Sequence, residues 1–172
     1  MSTPPETLTP FPHNHERCID KAIYMAEQVC LSHGARLTPT RRKILELIWE
    51  SHRAVKAYDL LDRIRPFDQT AKPTTVYRAL DFLLLHGLIH RVESLNAFIG
   101  CNCSAQKHEQ VLLICESCQE VEERPGTAVM EAVGEELREA GFTMHHKAIE
   151  IHGICAHCLT AAAPEDYTSD PG

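Results

Sequence analysis

The sequence has no run of about 18 consecutive apolar residues, the length that a membrane-spanning helix needs. Its N-terminus, MSTPPETLTPFPHNHE, lacks the basic segment and the apolar segment of a secretory signal. These two absences predict a cytoplasmic chain with no membrane partner. In a reducing compartment, the eight cysteines favour metal binding over disulfide bonds.

Positive net charge is also lacking, since the formal charge is −7, which by itself argues against a nucleic-acid partner. The excess of acidic residues is confined to the second half of the chain. Residues 1–100 carry 13 Lys/Arg and 11 Asp/Glu, whereas residues 101–172 carry 4 and 13. DNA binding requires cations on one surface, not a positive total. Six cations share a window with only two acids: Arg36, Arg41, Arg42, Lys43, Arg53 and Lys56.

Apolar spacing and capping residues predict four helices in the first half. The first runs from Arg17 to His33, and the second follows an N-cap at Thr38 with Pro39 at its first position. A third starts near Ala57. The fourth spans residues 72–87, capped by a threonine and closed by a glycine. The predicted inward stripe of the second helix is Ile44, Leu45, Ile48 and Trp49. The predicted caps of the fourth are Thr74 or Thr75 and Gly87.

After the fourth helix the pattern changes to two short β segments, Leu88–Glu93 and Ala97–Gly100. Three helices, a capped fourth and a hairpin indicate a winged helix-turn-helix domain, with the fourth helix as the recognition helix. Its polar face could also be an ordinary solvated surface. The predicted DNA contacts are Thr74, Thr75, Tyr77 and Arg78 on that helix and Arg41, Arg42 and Lys43 on the second.

The second half predicts a small α/β unit. A strand Val111–Cys115 and a return strand Gln119–Glu123 precede a helix from Thr127 to Ala140, and a further strand spans Phe142–Ile151. So short a segment has a thin core, which predicts packing against a second copy and stapling by zinc. The predicted inward face of the helix is Val129, Met130, Val133 and Leu137.

The predicted fold class is therefore α+β. Residues 16–98 are the winged-helix DNA-binding domain and residues 99–160 the dimerisation domain, between disordered tails at residues 1–15 and 161–172.

Two C-x-x-C pairs supply four thiolates, enough to fill every position of a tetrahedral zinc ion. A closed shell of this kind is structural rather than catalytic. The alternative is a redox C-x-x-C, which the presence of two pairs disfavours. The four predicted ligands of this structural zinc are Cys115, Cys118, Cys155 and Cys158.

A second, mixed ligand set lies on both sides of the junction between the two halves: His90, Cys101, His108 and Glu123. Spacing alone leaves alternatives open. Glu120 or Glu122 could replace Glu123, and Cys103 could compete with Cys101. The same residues could hold a catalytic zinc in a hydrolase, but the sequence has no H-E-x-x-H motif, and the cysteine would close the fourth position. The late histidines could form a third site: His145, His146, His152 and His157.

Several segments together resemble the ferric uptake regulator family, and within it the zinc-responsive branch. They are LTPTRRKILELI, AYDLLDRI, KPTTVYRALDFLLLHGLIHRVES, CESCQEVEE and IEIHGICAHC, and the match covers roughly residues 18–158. The resemblance implies a homodimeric, metal-dependent transcriptional repressor rather than an enzyme. It assigns the structural zinc to the four cysteines and a sensing zinc to the mixed set. It also matches Tyr77 and Arg78 to DNA-contacting positions of the recognition helix.

One departure from the family pattern bears on the metal. Iron and peroxide sensors carry an H-H-D-H-type run before the first C-x-x-C, whereas this chain has Lys107-His108-Glu109-Gln110. The resemblance therefore implies a zinc-sensing repressor of zinc-uptake genes, with two zinc ions per chain and double-stranded palindromic DNA as partner. No small organic substrate is expected. An iron- or manganese-sensing repressor of the same fold is the alternative, and the soft thiolate of Cys101 argues against it.

Overall fold

The structure is a computed structural model, and it describes residues 15–51, 53–102, 110–143 and 148–161. Within these ranges no helix combines the length and apolar character needed to cross a bilayer. The helices are α1 His15–Ser32, α2 Pro39–Trp49, α3 Ala57–Ile64, α4 Pro73–Leu85, α5 Thr127–Glu139 and α6 Ala156–Ala161. The strands are β1 Ile89–Val92, β2 Ala97–Gly100, β3 Gln110–Cys115, β4 Val121–Pro125 and β5 Ala148–Gly153.

Helices α1–α4 enclose the larger hydrophobic core. Thr38 caps α2 as predicted, because its Oγ1 accepts the N–H of Arg41 at 3.4 Å. The stripe of Ile44, Leu45 and Ile48 is buried behind it. Trp49, predicted as a fourth member, is only partly buried and packs against the edge of this core. The aliphatic face of α2 therefore sets the position of the later helices.

The start of α4 differs from the prediction. Neither Thr74 nor Thr75 is the N-cap; that position is Lys72, and Pro73 begins the helix. Thr75 acts from inside the first turn, since its Oγ1 accepts the N–H of Lys72 at 3.2 Å. Proline fixes a helical φ at the first position, so the boundary shifts toward the N-terminus. Gly87 closes the helix with φ +65° as predicted.

Strands β1 and β2 form the wing, a two-stranded antiparallel hairpin in which Ile89 pairs with Gly100 and Val92 with Ala97. Asn96 helps close its turn with a φ of 47°. A bridge between Val55 and Phe98 attaches the wing to the segment after α2. The wing is thus held against the helices by backbone pairing as well as by its apolar face.

The second half contains a three-stranded sheet in the order β4-β3-β5, with β3 antiparallel to β4 and parallel to β5. Gln119, at φ 61°, lies in the tight turn between β3 and β4. Parallel strands end at the same edge of a sheet. Cys115 at the end of β3 therefore lies beside the residues that follow β5, and both C-x-x-C pairs meet there.

Three features of the C-terminal elements were not predicted. Gly126, not Thr127, is the N-cap of α5, and Met130 is its only buried residue among those described. The other three residues of the predicted inward face, Val129, Val133 and Leu137, are exposed or partly exposed in the single chain. No helix was predicted between Cys155 and the tail at residues 161–172, but Ala156–Ala161 form α6, so Cys158 is helical.

Candidate functional site

The two C-x-x-C pairs converge at one edge of the sheet, where all four Sγ atoms lie within 4.8 Å of one another. Tetrahedral zinc with Zn–S bonds of about 2.3 Å requires S···S separations of about 3.8 Å. The Cys118 and Cys155 Sγ atoms are 3.9 Å apart. The geometry and the soft donors both fit zinc, and we call this group the four-cysteine site: Cys115, Cys118, Cys155 and Cys158.

The backbone around the four-cysteine site favours a thiolate at one particular cysteine. N–H groups of Cys118 and Cys155 point at the Cys115 sulfur, the latter at 3.3 Å, and lower the pKa of Cys115 to about 6. The N–H of Glu120 stabilises the Cys118 thiolate, but burial and the three neighbouring thiols outweigh it and raise the pKa of Cys118 to about 12. Zinc binds thiolates, so Cys115 is ready to provide the first bond.

Three of the four residues of the predicted mixed set also converge. His90 comes from β1, Cys101 directly follows β2, and Glu123 comes from β4. We call these residues the sensing group. His108 lies outside the described residues, so the fourth position of the set stays a prediction. The sensing group joins the wing to the C-terminal sheet.

The distances within the sensing group fit one small tetrahedral ion. His90 Nε2 lies 3.0 Å from Glu123 Oε1, and Cys101 Sγ lies 4.0 Å from the same oxygen. Tetrahedral zinc would place these pairs about 3.3 and 3.5 Å apart, from bond lengths of about 2.0 Å to N or O and 2.3 Å to S. The Glu123 side chain is only 2% exposed and also accepts the N–H of Asn102 at 2.9 Å. Burial and this hydrogen bond therefore fix the orientation of the carboxylate without a bound ion.

Close packing fixes the backbone that carries Cys101. A Cβ on Gly100 would overlap the indole of Trp49, so only glycine fits there. The N–H of Cys101 also donates to the Leu88 carbonyl at 3.1 Å. The cysteine is thus tied to the end of α2 and to the start of the wing.

The alternative ligands have other positions or lie outside the described residues. Glu122 forms an ion pair with Arg124 at 2.7 Å, and Glu120 is exposed beside the turn of the four-cysteine site. Cys103, His145 and His146 lie outside the described residues. His152 contacts the wing, and His157 is exposed on α6.

One residue beside the sensing group was missed in the sequence. Gln110, the first residue of β3, is 8% exposed, and its amide nitrogen lies 2.8 Å from His90 Nδ1. It shares a sheet face with Leu112 and Ile114, both buried. The sequence could have identified it, because a polar residue occupies the same alternating positions of the strand as buried apolar residues.

A second contact between wing and sheet involves no metal ligand. Glu150 on β5 accepts the backbone N–H groups of Glu93 and Ser94 at 2.6 and 3.1 Å, and His152 Nε2 lies 3.1 Å from Ser94 Oγ. Burial opposes ionisation of Glu150, but the hydrogen bonds from Ser94 and Glu93 and the nearby His152 outweigh it and lower its pKa from 4.5. This contact is therefore complete above pH 4.5 and is lost as pH falls below that value.

Replacing Glu150 with Gln should loosen the tip of the wing. The amide keeps one acceptor oxygen where the carboxylate has two, so one of the two N–H groups loses its partner. We expect the Ser94 amide to exchange with solvent about tenfold faster near pH 7, equivalent to about 1 kcal/mol for a partly exposed charged hydrogen bond. NMR-detected hydrogen exchange measures this directly. Glu131→Gln on the exposed face of α5 is the control, and equal Ser94 exchange in both variants would contradict the assignment.

Helix α4 presents the predicted recognition face to solvent. Thr74, Tyr77 and Arg78 are exposed, and the opposite side of the helix is buried in the core. A groove of about 230 Å³ lies where the N-termini of α2 and α4 approach each other. Helix N-termini and cations both attract phosphate. The polar residues of this groove are Thr38, Thr40, Arg41, Thr74, Thr75 and Arg78.

The three predicted phosphate contacts on α2 each have a partner within the chain. Arg41 donates to the Arg36 carbonyl at 2.7 Å and lies 3.5 Å above the Phe82 ring. Arg42 pairs with Glu27 at 2.6 Å and with Glu46, and Lys43 pairs with the same Glu46. These are exposed or partly exposed pairs that contribute little stability, so a phosphate can replace the acid at small cost.

Comparison with known proteins finds zinc uptake regulators among the proteins similar to this chain. The zinc uptake regulation protein of Escherichia coli (strain K12) is 41% identical over 152 residues, covering 86% of this chain and 89% of that protein. A structure of a zinc uptake regulator complexed with zinc and DNA matches with a TM-score of 0.78 and 39% identity, over 83% of this chain and 96% of that one. A crystal structure of holo XcZur matches with a TM-score of 0.74 and 37% identity, over 82% and 99%.

The comparison also identifies the family. Residues 32–152 match the sequence model of the ferric uptake regulator family. The match covers α2 through most of β5 and includes the sensing group and the first C-x-x-C pair. The similarity to the Escherichia coli protein extends over most of both chains. The chain belongs to the ferric uptake regulator family.

Proposed function

We propose that the chain is a zinc-sensing transcriptional repressor, which binds palindromic double-stranded DNA as a zinc-loaded homodimer and represses zinc-uptake genes. It works in the cytoplasm and carries two zinc ions per chain, one in the four-cysteine site and one in the sensing group. Residues 16–98 form the DNA-binding domain and residues 99–160 the dimerisation domain. The function of the similar zinc uptake regulation protein supports this proposal.

The observation that carries the proposal is the composition of the sensing group. His90 lies on strand β1 of the wing and Glu123 on strand β4 of the C-terminal sheet, while Cys101 lies in the segment between them. Bound zinc supplies a charge that holds nitrogen, sulfur and oxygen donors at tetrahedral positions. These three residues keep their short separations only when wing and sheet are in the arrangement described here, so the same ligands that bind zinc also fix the orientation of the DNA-binding half.

Apolar surface on the second half supports a dimer. Phe142 and Leu159 are 65% and 60% exposed, and Val129, Ile151 and Ile154 are each more than 40% exposed. Exposed apolar side chains on a small unit with few buried residues favour packing against a second copy. A two-fold dimer would present two α4 helices to successive major grooves, which accounts for a palindromic target.

The proposal is tested by DNA binding under buffered zinc. Fluorescence anisotropy of a labelled duplex from the intergenic region upstream of the gene should show binding that appears as free zinc rises, with iron(II) and manganese(II) run in parallel. We expect zinc alone to produce binding. Binding that ignores zinc, or that follows iron or manganese instead, would contradict the proposed metal specificity.

Replacing Arg78 with Ala should reduce sequence preference more than total affinity. Arginine in the major groove reads guanine through two hydrogen bonds, worth about 1–3 kcal/mol of discrimination. We expect the ratio of dissociation constants for the operator and a scrambled duplex to fall by about 5- to 150-fold. Arg42→Ala is the matched control, because it should weaken both duplexes alike and flatten the salt dependence. An unchanged ratio in Arg78→Ala would disprove the recognition-helix assignment.

A further inference from the structure

The polar neighbour of the sensing group has an unusual hydrogen-bonding state. Gln110 has a buried side chain whose nitrogen lies 2.8 Å from His90 Nδ1, while its oxygen, Oε1, is buried with no hydrogen-bond partner among the described residues. A buried carbonyl oxygen without a partner costs free energy, so it calls for an explanation. The backbone of Gln110 is also confined, because a Cβ on Gly126 would lie 3.0 Å from it.

The orientation of this amide dictates which nitrogen of His90 carries the proton. With the amide nitrogen donating, Nδ1 must accept, and a neutral ring then carries its proton on Nε2. That proton points at Glu123 Oε1, 3.0 Å away. The three side chains therefore form a consistent chain of hydrogen bonds from Gln110 through His90 to Glu123. This state blocks Nε2 as a ligand.

Metal ligation by Nε2 requires the opposite arrangement. The lone pair must then be on Nε2 and the proton on Nδ1, and Nδ1–H needs an acceptor. A rotation of the Gln110 amide by 180° exchanges its nitrogen and oxygen with almost no change of shape. It brings the oxygen that lacked a partner to Nδ1. Because Gln110 can donate or accept at one position, it can serve both tautomers of His90.

We propose that Gln110 is a positioning residue of the sensing group, whose amide rotates on zinc binding so that Oε1 accepts Nδ1–H of His90 and holds Nε2 toward the ion. In this exchange the Nε2 proton passes to water and Nδ1 takes a proton from water, so the ring gains and loses one proton. The inference rests on the proposed sensing function. It explains why a polar residue occupies the first buried position of β3.

Gln110→Leu and Gln110→Glu separate this role from packing. Leucine fills a similar volume but cannot accept Nδ1–H, whereas glutamate can only accept. We expect the dissociation constant of the second zinc, measured by competition with a chromophoric chelator on protein that keeps its first zinc, to rise about 10- to 100-fold in Gln110→Leu. Gln110→Glu should bind as tightly as the wild type or more tightly. Gln28→Leu, on the exposed face of α1, is the control.

Nitrogen-15 NMR of the wild-type imidazole gives a second test that needs no variant. The His90 proton should be on Nε2 without the second zinc and on Nδ1 with it. A Gln110→Leu affinity within twofold of wild type, or a zinc-loaded ring without the Nδ1 proton, would overturn the inference and leave the sensing function intact. A wild-type chain that binds only one zinc would instead overturn the sensing group itself.

Discussion

Replacing Cys118 with Ser is expected to unfold the C-terminal unit and to remove both zinc ions of a chain, because the sensing group takes Glu123 from the sheet of this unit. Its sheet has little apolar support, because the cluster beneath it consists of Leu112, Ile114 and Val121 with two wing residues. A structural zinc contributes about 10–16 kcal/mol to the folding of small zinc domains, far more than this core can supply. Loss of one of the four thiolates should remove most of this stabilisation. Zinc content by mass spectrometry and the far-UV circular dichroism of β3–β5 measure the two effects.

The matched control for this experiment is Cys18→Ser on α1, a partly buried thiol outside both metal groups. It should keep two zinc ions and a wild-type spectrum. A Cys118→Ser protein that retained both ions and its sheet would show that the four sulfurs do not form a structural site. Chelators should reproduce the loss in the wild type only when their own zinc affinity is nanomolar to picomolar, because binding energies of about 10–16 kcal/mol correspond to dissociation constants of about 50 nM to 2 pM.

Replacing Cys101 with Ser is expected to leave the fold intact and abolish the zinc response of DNA binding. The serine hydroxyl is a harder and weaker ligand than thiolate, so the second zinc should be lost at physiological free zinc. Coupling between two sites of about 1–3 kcal/mol corresponds to about 5- to 150-fold in affinity. Operator affinity of this variant should therefore stay at the zinc-free level across the whole zinc titration.

Cys103→Ser is the matched variant for this experiment. It removes the thiol two positions away, which is the alternative metal ligand to Cys101. If Cys101 is the ligand, Cys103→Ser should respond to zinc as the wild type does. The reverse pattern would transfer the assignment to Cys103. Thermal unfolding with the first zinc bound should be similar in both variants, which separates sensing from stability.

The four-cysteine site could be predicted because its chemistry is local. Two residues between cysteines fix each chelating turn, and four thiolates fill a tetrahedral zinc shell. The wing and α4 could also be predicted from the sequence. Pro73 stands at the start of α4, and Gly87 separates the end of α4 from the wing. The sequence analysis predicted a threonine as the N-cap of α4. The N-cap is Lys72, because the fixed φ of Pro73 suits the first position of the helix.

Contacts between distant segments were harder to predict from the sequence. The resemblance named Glu123, and the β3–β4 register pairs it with Leu112, two residues from Gln110 on the same face, but nothing local showed that Gln110 faces His90. The exposure of Val129 on α5 has a related cause. Helical spacing shows which residues share a face, but it does not show whether the surface that covers them belongs to the same chain.

Strand β3 carries Gln110, which contacts His90 of the sensing group, at one end and Cys115 of the four-cysteine site at the other, and its ends lie roughly 17 Å apart. The order in which the ions are acquired follows from this arrangement. Without the ion of the four-cysteine site, β3 and β4 have little to hold them, and Glu123 and Gln110 have no fixed position. We expect the first ion to be taken up during folding and kept for the life of the molecule, so a newly made chain consumes zinc before it can report on zinc.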